Sequence, residues 1–471
     1  MKAIAVSVLC LLATACSGDD GASSNPSGGG GTSAGGSGGA ATGGGGGATG
    51  GAAGASGGAA GASGGTGGAS GGAGGSTGGS GGSTGGAGGL AIGEWTDAPG
   101  TCPSGSTEVT LSTAQQIADA SRGEGAYSGD GPGTCYLIKN GTYTLSTNVL
   151  MYFTRGGSAS QPIYFVGESR DGVVIHHRAS FEADHLRLAN MTFDLAGYSK
   201  SGSFNTISIG NASDLELSHL TLTGDCATGD TGGHISTEAD GAQDILIEAC
   251  LIEKFGHCAS GGHLDHGVYL SAGSDITLRN NVIRDNSSRG IQLYTADGSF
   301  GSLKNVTIEQ NRIYGNGHAD YEDGIVINVS GSGPLAGLSV AHNLIYDNYY
   351  SGIRFAGPAT SGVKIEKNTF YENGSGSSSG NASEINIDDA GMAGPATITK
   401  NVFVSSAKLI NNCYDAASQS FSIEDNVVSG ASASGNCVSS VVSIDPNLAA
   451  PESGDFHAQN SAADGYGAYA P

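Results

Sequence analysis

One short phrase recurs along the chain: apolar residues two apart, a polar pair ending in asparagine, then a second apolar pair. It reads ITLRNNVI, VTIEQNRI, LSVAHNLI, VKIEKNTF, ATITKNVF and FSIEDNVV, and sets Asn281, Asn311, Asn343, Asn368, Asn401 and Asn426 at one phase, 25 to 33 residues apart. Upstream, LIEACLI, LELSHLT and LRLANMT are expected to carry Cys250, His219 and Asn190 at that phase, giving at least nine turns. Between asparagines, Val268/Leu270, Ile276/Leu278, Val282/Ile283 and Ile291/Leu293 form further apolar pairs separated by Gly, Asn, Asp and Ser. This alternation describes short strands with a corner after each. A unit of three short strands cannot enclose its own apolar face, so its neighbours must stack on it, and the reading is a parallel β-solenoid. Asparagines stacked at one corner can hydrogen-bond along the axis.

The pattern N-x-[VIL]-[IVF] followed by G-[IV]-x-[LIF] resembles the right-handed parallel β-helix superfamily, which includes pectate lyases, alginate and chondroitin lyases and alginate epimerases. The ending SIDPNLAAPESGDFHAQNSAADGYG is similar to the tail that closes many such domains. The resemblance covers about residues 101–471 and implies an all-β, right-handed parallel β-helix. This scaffold also hosts adhesins and binding proteins, so it speaks for fold more than for activity. LSTAQQIADASRG reads as a short helix covering the open N-terminal end.

Before the repeats the chain changes character twice. Residues 1–16 read as a signal peptide, with Lys2, the apolar run AIAVSVLCLLATA and Cys16 in a setting similar to the lipobox of bacterial lipoproteins. Cys16 is therefore expected to carry lipid, and Ser17 after it favours the outer membrane in that family. Residues 17–90, almost wholly Gly, Ala, Ser and Thr, can bury no core and read as a flexible tether reaching roughly 45 Å. Residues 91–471 are the folded domain, expected to be monomeric.

Among charged residues only Lys2, Asp19 and Asp20 precede residue 90, so nearly all of the net charge of −24 belongs to the repeats. That excess disfavours nucleic acid and anionic lipid surfaces as partners. An acidic sugar polymer then needs basic residues or a bound cation concentrated at its site.

With Cys10 and Cys16 set aside, seven cysteines remain in a chain read as exported. Cys226 and Cys258 follow the repeat phase by seven and eight residues, and Cys413 and Cys437 by twelve and eleven. Stacked turns lie about 4.8 Å apart, so both pairs are within reach of a disulfide. Cys102 and Cys135 would staple the N-terminal cap, which leaves Cys250 as a buried thiol in the asparagine column.

Alternation along G-V-Y-L turns Tyr269 outward between Val268 and Leu270. Successive turns then display Tyr269, Gln292 and Arg354 in one row, with Tyr294 and Asn328 beside it. His234, His266, Arg289, Asp323 and Ser351 fall at the corner before the strand, entered by long loops at 226–233, 253–265 and 314–322. Such loops wall a groove. His257, His263 and Asp265 stand on that wall.

Elimination from a uronic-acid sugar needs a group to neutralise the carboxylate, a base and an acid. Arg289, His266 and Tyr269 are the candidates in that order, with Asp265 alongside. Arg289 is expected at an outward corner, where its removal would cost under about 1 kcal/mol of stability. Gln292, Tyr294, Asn328, Arg354, His234 and His263 are the expected substrate contacts. Glu238 and Asp323, with Asp265 and Glu322 near them, are candidate ligands for Ca2+. LDHGVYL…ITLRNN…DN also resembles a D-P-H-E…TIRDN…DN stretch of alginate epimerases, aligning Asp265 and His266 with that family's acid and histidine. It departs at the missing Pro and Glu, and Arg289 stands where an acid is expected. The signatures of polygalacturonase-type hydrolases are absent. The expected function is thus a surface-tethered polysaccharide lyase, with a non-catalytic carbohydrate-binding or adhesive β-helix as the alternative.

Overall fold

The computed structural model describes residues 92–93, 95–146, 149–197, 205–225, 232–237, 241–257, 264–295, 301–318, 322–329, 333–357, 360–377, 380–388, 395–411, 421–431 and 438–471. All belong to one compact unit, Gly82–Pro471. Cys16, Glu238, His263 and the pairs Cys226/Cys258 and Cys413/Cys437 lie outside the described residues.

Each turn contributes one strand to each of three parallel sheets, which hold 12, 12 and 10 strands among the described residues. One full turn shows the pattern: Gln243–Glu248 in the first sheet, Leu251–Glu253 in the second, Asp265–Leu270 in the third, then Gly273–Arg279 back in the first. The period-two apolar residues stack rung on rung. Ile247, Leu278, Ile308, Val340, Ile365, Ile398 and Ile423 make one continuous interior column. That stack of Ile, Val and Leu is the core, and no turn has one without its neighbours.

The asparagine corner is a ladder. The side-chain oxygen of Asn311 accepts from the backbone N–H and the Nδ2 of Asn281 (both 2.9 Å), and Asn343, Asn368, Asn401 and Asn426 repeat the arrangement. Each corner amide that the bend removes from the sheets thereby gains a partner, as a buried N–H requires. The residue before each ladder position is left-handed, as at Asn280 (φ 57°), Gln310 (57°) and His342 (57°). His219 (φ 53°) and Asn190 (61°) belong to this left-handed row, not to the ladder. Register places Leu220 and Met191 in the column of Cys250, one residue later than the sequence reading had it. Cys250 itself is buried and unpaired, and burial pushes its thiol up to about 12.

A second ladder lines the corner between the second and third sheets, through Asn286, Asn316, Asn348 and Asn373. It ends on Glu384, whose carboxyl accepts from both the backbone N–H (3.2 Å) and Nδ2 (2.6 Å) of Asn373. Glu384 is fully buried, and desolvation raises its pKa to about 8 against the hydrogen bonds from Ser405 and Asn373.

At the N-terminal end the helix Ala114–Arg122 is set by a capping box between Thr113 and Gln116 and stopped at Gly123 (φ 66°). Its buried Ser121 hydroxyl accepts from the Tyr152 N–H (3.0 Å), which fixes the helix on the strand Met151–Phe153. Cys102 and Cys135 are bridged, with Cα atoms 5.8 Å apart across a separation of 33 residues. Closing a loop of that size stabilises the fold by roughly 3–4 kcal/mol. The C-terminal segment packs on the outside of the second sheet, where Phe456 meets Tyr346 and Tyr371. Arg312 clamps both ends of the unit, donating to the Ile92 carbonyl (2.8 Å) and the Gly454 carbonyl (3.1 Å).

Candidate active site on the third sheet

Register aligns Ser208, Ser236, Tyr269, Gln292, Val326, Arg354 and Asn386 along the outward row of the third sheet. Tyr269 and Arg354 are half-buried, but Ser236, Gln292, Val326 and Asn386 are enclosed. Outward-facing polar residues that are nevertheless covered line a cleft, not a free surface. Two residues before the interior Ile or Val of each strand stand His266, Arg289, Asp323 and Ser351, all buried.

His234 is not among them. Register pairs His266 with Gly233, and His234 turns to the interior side of the strand. There its Nε2 meets the Glu253 carbonyl at 2.7 Å and its Nδ1 the Thr206 hydroxyl at 2.9 Å, with the ring edge-on to Phe255. Burial lowers its pKa to about 4, so it is a neutral core histidine and touches no substrate. One residue of slip reverses a strand's faces, which is why the sequence misplaced it.

Arg289 also differs from expectation. It is 7% exposed, and its Nε and Nη2 donate to the two carboxylate oxygens of Glu322 (3.1 and 2.9 Å). Its Nη1 donates to Gln292 Oε1 at 3.1 Å, and the Gln292 carboxamide in turn bonds the His266 ring. The guanidinium is thus a buried paired charge. One rung further, Arg354 donates to Asp388 (2.6 Å) and lies 3.6 Å from Glu322 and 3.8 Å from Asp323.

Two groups in this row are shifted toward their neutral forms. His266 is pushed well below its ordinary pKa by burial and by the charge of Arg289, against the bond from Gln292, so it is neutral. Asp323 is fully buried and rises to about 8, first by desolvation and then by the Glu322 charge, against Arg354 and Arg289. The Nδ1 of His266 has no hydrogen-bond partner, while Asp323 has the Ser351 hydroxyl beside it and Arg354 at 3.8 Å. Over this row the aromatic rings stack: His266 on Tyr269 at 5.5 Å, and Tyr269 on Tyr294 at 6.0 Å. Tyr294 and Asn328, half-buried, pair in the neighbouring row beside it.

Beside the row, Asp265 is fully buried and its Oδ2 accepts from both the backbone N–H (3.0 Å) and the Nδ1 of His257 (2.8 Å). Desolvation raises its pKa, opposed by these bonds.

Of the acidic residues expected to hold Ca2+, Glu238 lies outside the described residues, and Glu322 and Asp323 already face cationic side chains. The guanidinium of Arg289 already occupies the Glu322 carboxylate, and Arg354 lies against Asp323 and Asp388. Among the described residues no group of three or more His, Cys, Asp or Glu is arranged to hold a metal ion, and no helix is long and apolar enough to cross a membrane.

The second ladder and the Asp265–His257 pair went unread in the sequence. For the ladder the signal was present: N-x-x-x-x-N recurs as NVIRDN, NRIYGN, NLIYDN and NTFYEN.

Comparison with known proteins agrees with this architecture. Residues 167–336 match the family described as right handed beta helix region, and residues 258–436 match periplasmic copper-binding protein (NosD). No curated protein matches the chain. Among solved structures, the mannuronan C-5 epimerase A-module of Azotobacter vinelandii is 15% identical with a TM-score of 0.45, over 71% of this chain and 95% of that one. A PL6 family polysaccharide lyase of Pseudopedobacter saltans is 13% identical with a TM-score of 0.40, over 75% and 96%. A surface adhesin of Streptococcus pneumoniae is 11% identical with a TM-score of 0.42, over 68% and 85%. Likeness this distant says nothing about activity. The family match gives the chain a right-handed β-helix region over residues 167–336, and among the described residues there the strand register is that of a parallel β-helix.

Proposed function

We propose that this is an exported polysaccharide-acting protein, and that it cleaves a uronic-acid polymer by β-elimination in the cleft on the third sheet. One observation carries the reading. His266 and Asp323, in one row and flanking the Arg289–Glu322 pair, are pushed in opposite directions, one to neutral imidazole and the other toward neutral acid. Burying ionisable groups costs stability, and clefts that do so are where acid–base chemistry is found. The stacked faces of Tyr269 and Tyr294, with Asn328 and Arg354 beyond them, suit a sugar chain laid along the sheet. The Tyr269 hydroxyl is the acid for the leaving oxygen. The enclosed Arg289–Glu322 pair, Gln292 and the Asp323 carboxyl set the field beneath the cleft floor without touching the sugar. His266, enclosed beneath Tyr269, supports that ring instead of meeting substrate. The Cys102–Cys135 disulfide supports an oxidising compartment. Lipidation at Cys16, an outer-membrane position and a monomeric state remain part of the proposal.

A second reading, a carbohydrate-binding or adhesive β-helix, is favoured by the pairing of Arg289 and Arg354 with carboxylates, which leaves the cleft little net positive charge. Tyr269→Phe separates the two. Loss of a catalytic phenol lowers turnover on a uronate polymer with binding kept, whereas a pure binder keeps its affinity and has no turnover to lose.

A further inference from the structure

The elimination needs a base that reaches substrate, and the enclosed His266 is not that base. His257 follows the second-sheet strand Leu251–Glu253 and stands at the entrance to the third sheet, with its side chain 28% exposed. Its Nδ1 lies 2.8 Å from Oδ2 of the fully buried Asp265, the residue preceding His266, whose ring stacks on Tyr269. With the carboxylate accepting, Nδ1 carries the proton and Nε2 keeps its lone pair. A buried carboxylate that fixes a histidine tautomer also stabilises the imidazolium formed when that histidine takes a proton.

The local backbone is built for this contact. Gly256 adopts φ +90°, and a Cβ there would lie 2.2 Å from the Cβ of Asp265, so only glycine lets the loop close on the carboxylate. The His257 N–H donates to the same oxygen at 3.0 Å, which holds the residue from two sides. The other oxygen, Oδ1, is buried without a partner. A carboxylate used only to tie down a loop would not leave half of its acceptor capacity unmet, because that costs free energy.

We infer that His257 is the proton-abstracting base of the third-sheet cleft and that Asp265 is its positioning residue. The inference rests on the elimination reading above. In the step, the Nε2 lone pair of His257 takes the proton on the carbon bearing the substrate carboxylate. The C–H electron pair becomes the new C=C bond, and the neighbouring C–O bond breaks with its pair on oxygen. That oxygen takes the phenolic proton of Tyr269, and the phenolate and the His257 imidazolium return to their starting states by proton exchange with solvent. No oxidant, reductant or water is consumed.

The test uses the full chain with polygalacturonate and alginate, reading the ultraviolet absorbance of unsaturated product. His257→Ala is expected to lower turnover roughly 10²–10⁴-fold, as loss of a general base does, with KM little changed and turnover partly restored by imidazole in solution. Asp265→Asn should lower kcat on the order of 10–100-fold, as loss of an orienting partner does, with the melting temperature kept. Wild-type turnover that survives in His257→Ala overturns the assignment and leaves the lyase reading standing. So does a His257→Ala loss that imidazole does not restore and that follows a fall in melting temperature, because the pair is then structural. A wild-type protein that makes no unsaturated product from either polymer overturns the lyase reading and the assignment with it.

Discussion

Arg289 and Glu322, 33 residues apart in sequence, face each other from adjacent rungs of the third sheet with two guanidinium nitrogens on two carboxylate oxygens. Both side chains are more than nine-tenths buried. Removing one partner leaves an uncompensated buried charge, which costs about 3–5 kcal/mol. Arg289→Ala should therefore show a large fall in unfolding free energy, not the small loss of a surface change. The Arg289→Met, Glu322→Leu double variant should recover most of it, since apolar residues of similar volume replace such pairs at little cost. Denaturant titration of the three proteins decides; equal stabilities for wild type and Arg289→Ala would show that the pair is solvated.

Glu384 makes the fold sensitive to alkali. Its folded-state pKa of about 8 lies above the ordinary carboxyl range, so the native state holds the proton more tightly than the unfolded chain. The stability this contributes is complete below the unfolded pKa, near 4.3, and is lost as pH rises through about 8. Asp323 acts in the same window and the same direction. Melting temperature should fall between about pH 5 and 8, and the slope should be shallower in Asp323→Asn. A flat profile across that range contradicts the burial of these acids.

The ladders make a separate claim. Asn311→Ala removes the acceptor of the buried Asn281 backbone N–H and of one of its two Nδ2 hydrogens, the other staying on the Ile247 carbonyl, at about 1–3 kcal/mol for the stranded N–H. Cys250→Asn should be tolerated within about 1 kcal/mol, because the Cys250 thiol already points at the Leu217 carbonyl, as Asn281 Nδ2 points at Ile247. Chemical denaturation of both variants checks the pair.

The repeats were legible because their signal is local. Apolar alternation, the ladder asparagines and the outward row from Ser208 to Asn386 each depend on spacing within one turn. The short N-terminal helix, the Cys102–Cys135 bridge and the unpaired Cys250 were also legible, whereas the capping box at Thr113 that starts the helix went unread. The ladder phase slipped where asparagine gives way to Leu220 and Met191, since a left-handed His219 or Asn190 resembles a ladder residue in sequence. Charge states were not legible. Whether Arg289 is a free cation depends on Glu322 one rung away, and whether Asp323 is ionised depends on how completely the cleft is covered. Neither follows from spacing. His234 shows the narrowest margin, one position separating a core residue from the cleft.

Arg312 ties both ends of the folded unit to the second sheet. Arg312→Ala should cost about 1.5–3 kcal/mol for each charged hydrogen bond lost, if the termini stay packed. It should also expose the C-terminal segment to protease before the repeats are cut. Simultaneous cleavage of tail and repeats would mean that the clamp holds nothing in particular.

The most direct measurement is a time course of ultraviolet absorbance with the purified protein on uronate polymers, set beside a neutral polysaccharide of similar length. Elimination in the third-sheet cleft predicts a rising signal from a uronate polymer, none from the neutral one, and an undiminished rate after chelator treatment, since arginines already pair with the cleft carboxylates. Binding of the same polymers without any unsaturated product would contradict it and leave a carbohydrate-binding β-helix.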